Sequence, residues 1–244
     1  MLGRFLEISV HTPDIQESLR FYETLGFSQA VVGETWSHHY AVVTDGRLYL
    51  GLHARPCPPL TVTFVHENLL QHVARMRAEG IEFDSEQFDS ESFHEASLAD
   101  PHGVRIAMLE ARTFSPPNIE PGGQLTWQST CGYFAELGIP VRDFGLGREF
   151  WESMGFVAMD SENEPFARVP LTSDHLNIGL YRTRALRQPV LTFEDTDMPE
   201  RLARLRERKF TLLDEMPDSL DAAGNAVLVA PEGTRLLLLT AGDS

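Results

Sequence analysis

From Leu6 to Thr12 polar and apolar residues alternate. Glu7, Ser9 and His11 fall on one side and Ile8, Val10 and Thr12 on the other. That period of two predicts a half-buried strand. Asp14 stands where a carboxylate can accept from the free amides of a first helical turn. Ile15, Leu19, Tyr22 and Leu25 then recur at helical spacing, and Gly26 supplies the stop. Trp36 to Val43 and Arg47 to His53 read as strands joined by a turn at Asp45-Gly46. Leu60 to Val65 reads as a further strand, and Leu69, Val73 and Met76 form the apolar stripe of a second helix closed by Gly80. The acidic stretch from Glu82 to Glu95 predicts a solvated loop and edge. Asp100-Pro101-His102-Gly103 turns into a last strand, Val104 to Leu109.

The same succession then returns. Phe21-Tyr22 and Gly26-Phe27 reappear 129 positions later as Phe150-Trp151 and Gly155-Phe156, and Glu7 and Asp14 as Glu136 and Asp143. Gly51 maps to Gly179 at an offset of 128, and Pro101, Gly103 and Arg105 map to Pro231, Gly233 and Arg235 at 130. Met198, Leu202 and Leu205 repeat the stripe of the second helix. A stripe carried over with its spacing predicts core packing. Between the copies lie Pro116, Pro117, Pro121, Gly122 and Gly123, a density that breaks regular structure. The expected division is a first module over 1–112, a linker over 113–131 and a second module over 132–244.

Composition narrows the function classes. The chain has 244 residues, 20 Lys and Arg against 36 Asp and Glu, and a formal net charge of −16. A phosphate backbone needs a basic footprint, so nucleic acid is not an expected partner, and the acidic surface disfavours anionic partners. No apolar run approaches the ~20 residues of a membrane span. The two cysteines, Cys57 and Cys131, rule out a disulfide framework, and Cys57 between two prolines reads as an inert thiol in a loop. With no signal-peptide pattern at the start, the expected location is cytoplasmic.

The repeated motif is that of a known group. Glu7-Ile8-Ser9-Val10-His11-Thr12-Pro13-Asp14 with Phe21-Tyr22 and Gly26-Phe27, and Glu136 to Asp143 with Phe150-Trp151 and Gly155-Phe156, resemble the vicinal oxygen chelate superfamily. That group includes glyoxalase I, bleomycin-resistance proteins and extradiol dioxygenases. The resemblance implies an α+β fold of tandem βαβββ modules, four βαβββ-type units in two repeats, forming curved mixed sheets around a cavity. It also implies a divalent metal held from the first strand, the strand before the second helix and the last strand. Those positions here are Glu7, Thr61 and Ala107 in one copy and Glu136, Val190 and Leu237 in the other. Val, Ala and Leu carry no donor and a neutral Thr hydroxyl is a poor one. The expectation is no metal or a weakly bound divalent one, with Glu7 and Glu136 as residual ligands, no nucleotide cofactor, and no extradiol ring cleavage.

In the glyoxalase-like pairing Glu7 and Glu136 would converge on one cavity between the modules. Two such carboxylates repel, so one pKa rises, as proton transfer at neutral pH requires. Both are therefore expected catalytic residues. His11, Trp36, Tyr40, His53, Trp127 and Tyr181 are the expected ligand-binding residues. His38 and His39, adjacent on a strand, point to opposite faces and cannot share a metal. The expected function is a glyoxalase-like enzyme of lyase or isomerase type acting on a small organic ligand. The alternative is non-catalytic binding or sequestration of the bleomycin-resistance type. Open-edged units leave room for a homodimer.

Overall fold

Asp14 does what its position predicts. Its carboxylate accepts from the amides of Gln16 and Glu17 and starts the first helix, and Gly26, at φ +93°, closes it. Asp143 caps the matching helix through the amides of Gly145 and Leu146. The computed structural model describes residues 2–31, 36, 38–58, 60–89, 94–111, 118–119 and 129–242.

The first module runs β1 (Arg4–His11), α1 (Ile15–Thr24), β2 (Ser28–Val31), β3 (Tyr40–Thr44), β4 (Tyr49–His53), β5 (Thr61–His66), α2 (Leu69–Ala78), β6 (Ser85–Gln87), β7 (Glu95–Ala99) and β8 (Arg105–Glu110), with β9 (Asn118–Ile119) added at one edge. Its nine strands form one mixed sheet in the order β6-β7-β8-β5-β1-β4-β3-β2-β9. The second runs β10 (Tyr133–Pro140), α3 (Phe144–Ser153), β11 (Val157–Ala158), β12 (Arg168–Thr172), β13 (Asn177–Tyr181), β14 (Val190–Asp195), α4 (Met198–Glu207), β15 (Leu212–Leu213), β16 (Ala226–Val229) and β17 (Arg235–Thr240). Its eight strands take the equivalent order β11-β12-β13-β10-β14-β17-β16-β15. Each module thus holds two βαβββ units, and the α+β tandem fold is the one the repeat predicts. The acidic stretch hides two strands, β6 and the start of β7, which its charge disguises. The predicted strand from Trp36 begins only at Tyr40, and the Pro/Gly-rich segment contributes β9, paired with β2.

A bulge sets the side chains of β1. Phe5 pairs with Phe64 and Glu7 with Thr63, so Leu6 is an extra residue in the ladder. Alternation without it would place Phe5 and Glu7 on the same face. With it, Phe5 packs edge-on against Phe64 in the main core while Glu7 joins Ser9 and Thr63 on the other face. The same shift separates Phe134 from Glu136 in β10.

The modules meet in pseudo-symmetric fashion. Tyr22 Oη and Ser18 Oγ of α1 donate to the Glu232 carboxylate at 2.7 and 2.8 Å. In return Trp151 Nε1 of α3 donates to Asp100 Oδ2 at 3.2 Å. Each helix therefore seats its aromatic residue on the turn before the other module's last strand. Phe21 against Phe210 and Phe27 against Phe193 fill the space between. No described helix is long and apolar enough to cross a membrane.

Candidate functional site

Glu7 is 2% exposed and stands at the centre of a polar cluster on β1, β4 and β5. Ser9 Oγ donates to Glu7 Oε1 at 2.8 Å, and His53 Nε2 lies 2.7 Å from the same oxygen. The other ring nitrogen of His53, Nδ1, lies 2.9 Å from His38 Nε2. Tyr40 stacks on His53 at 5.7 Å and 8°, and Trp36 meets it edge-on at 5.0 Å. A carboxylate only accepts, so the proton between Glu7 and His53 belongs to Nε2. His53 Nδ1 is then an acceptor, His38 donates Nε2–H to it, and a lone pair remains on His38 Nδ1. Burial, then His53 and Arg55, hold the His38 pKa below its usual 6.5, against the opposing pull of Glu7.

His38 and His53 form part of the wall of a cavity of ≈ 200 Å³. Ser9, Thr61, Thr63, Arg55 and Arg105 also line it. Cys57 also lines it, but burial pushes its thiol up to about 11, so it is protonated at neutral pH. Every lining residue belongs to the first module.

Residues 4–108 match the family model described as Glyoxalase/Bleomycin resistance protein/Dioxygenase superfamily. The match runs from the start of β1 into β8, so it falls within the first module. The solved structures similar to the whole chain share its architecture. A 2,2',3-trihydroxybiphenyl 1,2-dioxygenase from dibenzofuran-degrading Sphingomonas wittichii strain RW1 superposes with a TM-score of 0.60 at 17% identity, covering 100% of this chain and 91% of that one. A variant of homoprotocatechuate 2,3-dioxygenase from Brevibacterium fuscum gives 0.60 at 14%, covering 98% and 72%. A catechol 2,3-dioxygenase gives 0.59 at 13%, covering 99% and 88%. At these identities the likeness concerns the fold alone. No curated protein sequence matches the chain.

The superfamily's metal positions do not fit a metal here. Thr63 pairs with Ala107 across β5 and β8, and Thr192 with Leu237 across β14 and β17. Neither Ala107 nor Leu237 offers a donor, nor does Val190, and the Thr61 hydroxyl is spent on the Pro58 carbonyl at 3.0 Å. Among the described residues no group of three or more His, Cys, Asp or Glu is placed to hold a metal ion.

The second sheet is built on the same register and filled. His53 becomes Tyr181, whose hydroxyl donates to Glu136 Oε1 at 2.7 Å. Tyr40 becomes Arg168, which donates to Glu136 at 3.1 Å and also binds Glu162 at 2.6 Å. His38 becomes Phe166, edge-on to Tyr181 at 4.9 Å. Val190, Val227, Leu237 and Leu186 pack around them in a separate apolar cluster. Burial raises the Glu136 pKa, against the lowering effect of Tyr181 and Arg168.

Several expectations are corrected by this geometry. Among the described residues the polar cavity lies inside the first module, and Glu7 and Glu136 are each bonded within their own sheet. Glu136 rises through burial and not through repulsion from Glu7. Glu7 lies behind the cavity wall, covered by Ser9 and His53. Tyr181 is 0% exposed and its hydroxyl is spent on Glu136 and Thr192, so it lines no open pocket. His11 contacts the His53 carbonyl at 3.2 Å and stands outside the cavity lining. Tyr40 acts as a stacking partner of His53, whereas Trp36 and His53 themselves line the cavity. Trp127 lies outside the described residues. Sequence reasoning passed over His38, Arg55 and Arg105. For His38 the signal was present: Trp36, His38 and Tyr40 share one parity.

Gly51 is required by this packing. A Cβ there would stand 2.2 to 2.5 Å from the Glu7 carboxylate atoms. Gly51→Ala is therefore expected to push Glu7 off His53 and cost about 1–3 kcal/mol of stability. A urea midpoint unchanged from wild type would contradict this crowding.

Proposed function

We propose that the first module houses a metal-independent proton-transfer site, of lyase or isomerase type, acting on a small organic carbonyl compound. The observation that carries it is the chain Glu7–His53–His38, at 2.7 and 2.9 Å, ending on the wall of the cavity. Glu7 orients His53, and His53 in turn holds the proton of His38 on Nε2. His38 Nδ1 is then the base, taking a proton from carbon next to the substrate carbonyl. Negative charge develops on the carbonyl oxygen in that step. Arg55, which also lines the cavity and is near enough to depress the His38 pKa, is the group to stabilise it. Glu136, enclosed by Arg168 and Tyr181, has a structural role in this reading.

The test is solvent-deuterium incorporation into a panel of small oxo acids and ketones, followed by proton NMR. At least one compound is expected to exchange faster than in buffer. Its rate should fall as pH drops and His38 becomes protonated. The titratable and charged groups that act on His38 are His53, Arg55, Glu7 and, most weakly, the adjacent His39, and the acid limb is expected below pH 6.5. A panel that exchanges no faster than buffer, or an acid limb above 6.5, would sink the proposal. Binding without any exchange would favour the sequestration reading, which is supported by the missing donors at the superfamily's metal positions.

A further inference from the structure

We infer that the substrate of this cavity carries a carboxylate and that Arg105 is the residue that holds it. The inference rests on the reading of the first-module cavity as the reacting site and adds the chemical class of what enters it. Arg105 projects from β8 onto the cavity wall. One of its nitrogens, Nη1, donates to Ser97 Oγ at 2.7 Å, and Ser97 Oγ is itself 2.7 Å from Ser85 Oγ. The guanidinium is thereby fixed from one side by hydroxyls. Its carboxylate neighbour is the exposed Asp84, at a loose 3.7 Å.

The second module shows what a satisfied arginine looks like in this fold. Arg235, the repeat counterpart of Arg105, donates Nη2 to Glu215 at 2.8 Å. Arg168 donates to both Glu162 and Glu136, with Glu194 a looser neighbour at 3.7 Å. The residues around Arg105 differ accordingly: Ser97 and Ala107 leave space where Val227 and Leu237 fill it. Arg55, the other guanidinium of the lining, has among the described residues one distant ion pair, 3.9 Å from Glu95.

Arg55 and Arg105 stand with Glu95 in the lining, and Glu7 and Asp84 lie just outside it, so what the cavity offers an acid is two guanidinium forks at defined positions. A guanidinium with free donors in a partly dry site favours a carboxylate, which meets its fork with two parallel bonds. The volume limits the rest of the molecule. About 150 Å³ accommodates benzene, so ≈ 200 Å³ suits one ring or a short branched chain together with the acid group. With the reacting carbonyl at His38 and Arg55, the class is a small oxo acid.

Calorimetric titration of the full chain with benzoate and with its neutral counterpart benzamide tests this. Benzoate is expected to bind at least about tenfold more tightly, the usual worth of a charged hydrogen-bonded contact. Arg105→Met should remove that preference and leave benzamide affinity unchanged. Arg105→Lys, which keeps the charge and loses the fork, should fall between the two and covers the case in which the Met variant does not fold. Equal affinities in the wild type, no binding of either probe, or an unchanged preference in both variants would overturn the inference. Its failure is separable from that of the proton-transfer reading. A benzoate preference with no exchange of any oxo acid defeats only the latter, and exchange confined to neutral ketones with no benzoate preference defeats only the former.

Discussion

Glu7→Gln will slow exchange by about 10²–10⁴-fold and leave KM nearly unchanged. The substitution keeps the volume of the side chain and changes its charge and its protons. An amide that turns its NH2 toward His53 Nε2 makes that nitrogen an acceptor. The His53 proton then moves to Nδ1 and is donated to His38 Nε2, and the His38 proton must sit on Nδ1, the atom that needs a lone pair to act. An amide that turns its oxygen toward His53 keeps the tautomers but loses the negative charge that stabilises the protonated relay. Either way the chemical step suffers and binding does not, because Glu7 lies behind the wall at 2% exposure. His38→Gln should cost as much. The double variant should be no worse than His38→Gln alone, since residues that act as a unit do not add. Additive losses, or a Glu7→Gln variant within twofold of wild type, would show that the three residues do not form a relay.

Trp151→Ala should destabilise the chain by about 3–5 kcal/mol. The indole is 0% exposed and packs edge-on with Phe150 and Phe156 at 5.4 and 5.1 Å. Its Nε1 reaches across to Asp100. Asp100 survives the loss, because its other oxygen still accepts from the amides of His102 and Val104. The cost is therefore that of the cavity and the lost apolar contact, not of a stranded charge. The pseudo-symmetric change Tyr22→Phe removes one hydroxyl and leaves Glu232 bonded to Ser18, so it should cost only about 1 kcal/mol. Urea unfolding of both variants gives the comparison. Equal losses would mean that the hydrogen bonds, and not the ring packing, join the modules.

The repeat made the architecture legible because it is written in glycine, aromatic and capping positions. Asp14 and Asp143, Gly26 and Gly155, and the Pro-x-Gly turns are local signals with a fixed geometry. The candidate site was only half legible. Glu7 and His53 were found, because one occupies a position with a known partner in the other copy and the other ends a strand. Their relation was not, because the 2.7 Å contact depends on the parallel pairing of β1 with β4, and no residue pattern along the chain announces which strands lie side by side. Arg105 was missed for a similar reason. In sequence it is the twin of Arg235, and only the neighbours brought in from β6 and β7 distinguish a tethered arginine from a neutralised one. The expected shared cavity depends on how the copies pair: each builds its own open sheet, and they touch through α1, α3, the turns before the last strands and the Phe27–Phe193 contact.

The filled second sheet has a consequence for how the chain can change. The two sheets repeat one plan, and one holds a hollow while the other is packed with Tyr181, Phe166 and Leu237. A hollow lined by hydroxyls and histidines is a standing burden on stability, and the packed copy carries no such burden. The two halves are therefore under different rules: in the first, a larger side chain threatens chemistry, whereas in the second it only has to fit. Engineering for robustness belongs in the second half, and retargeting to new substrates in the first.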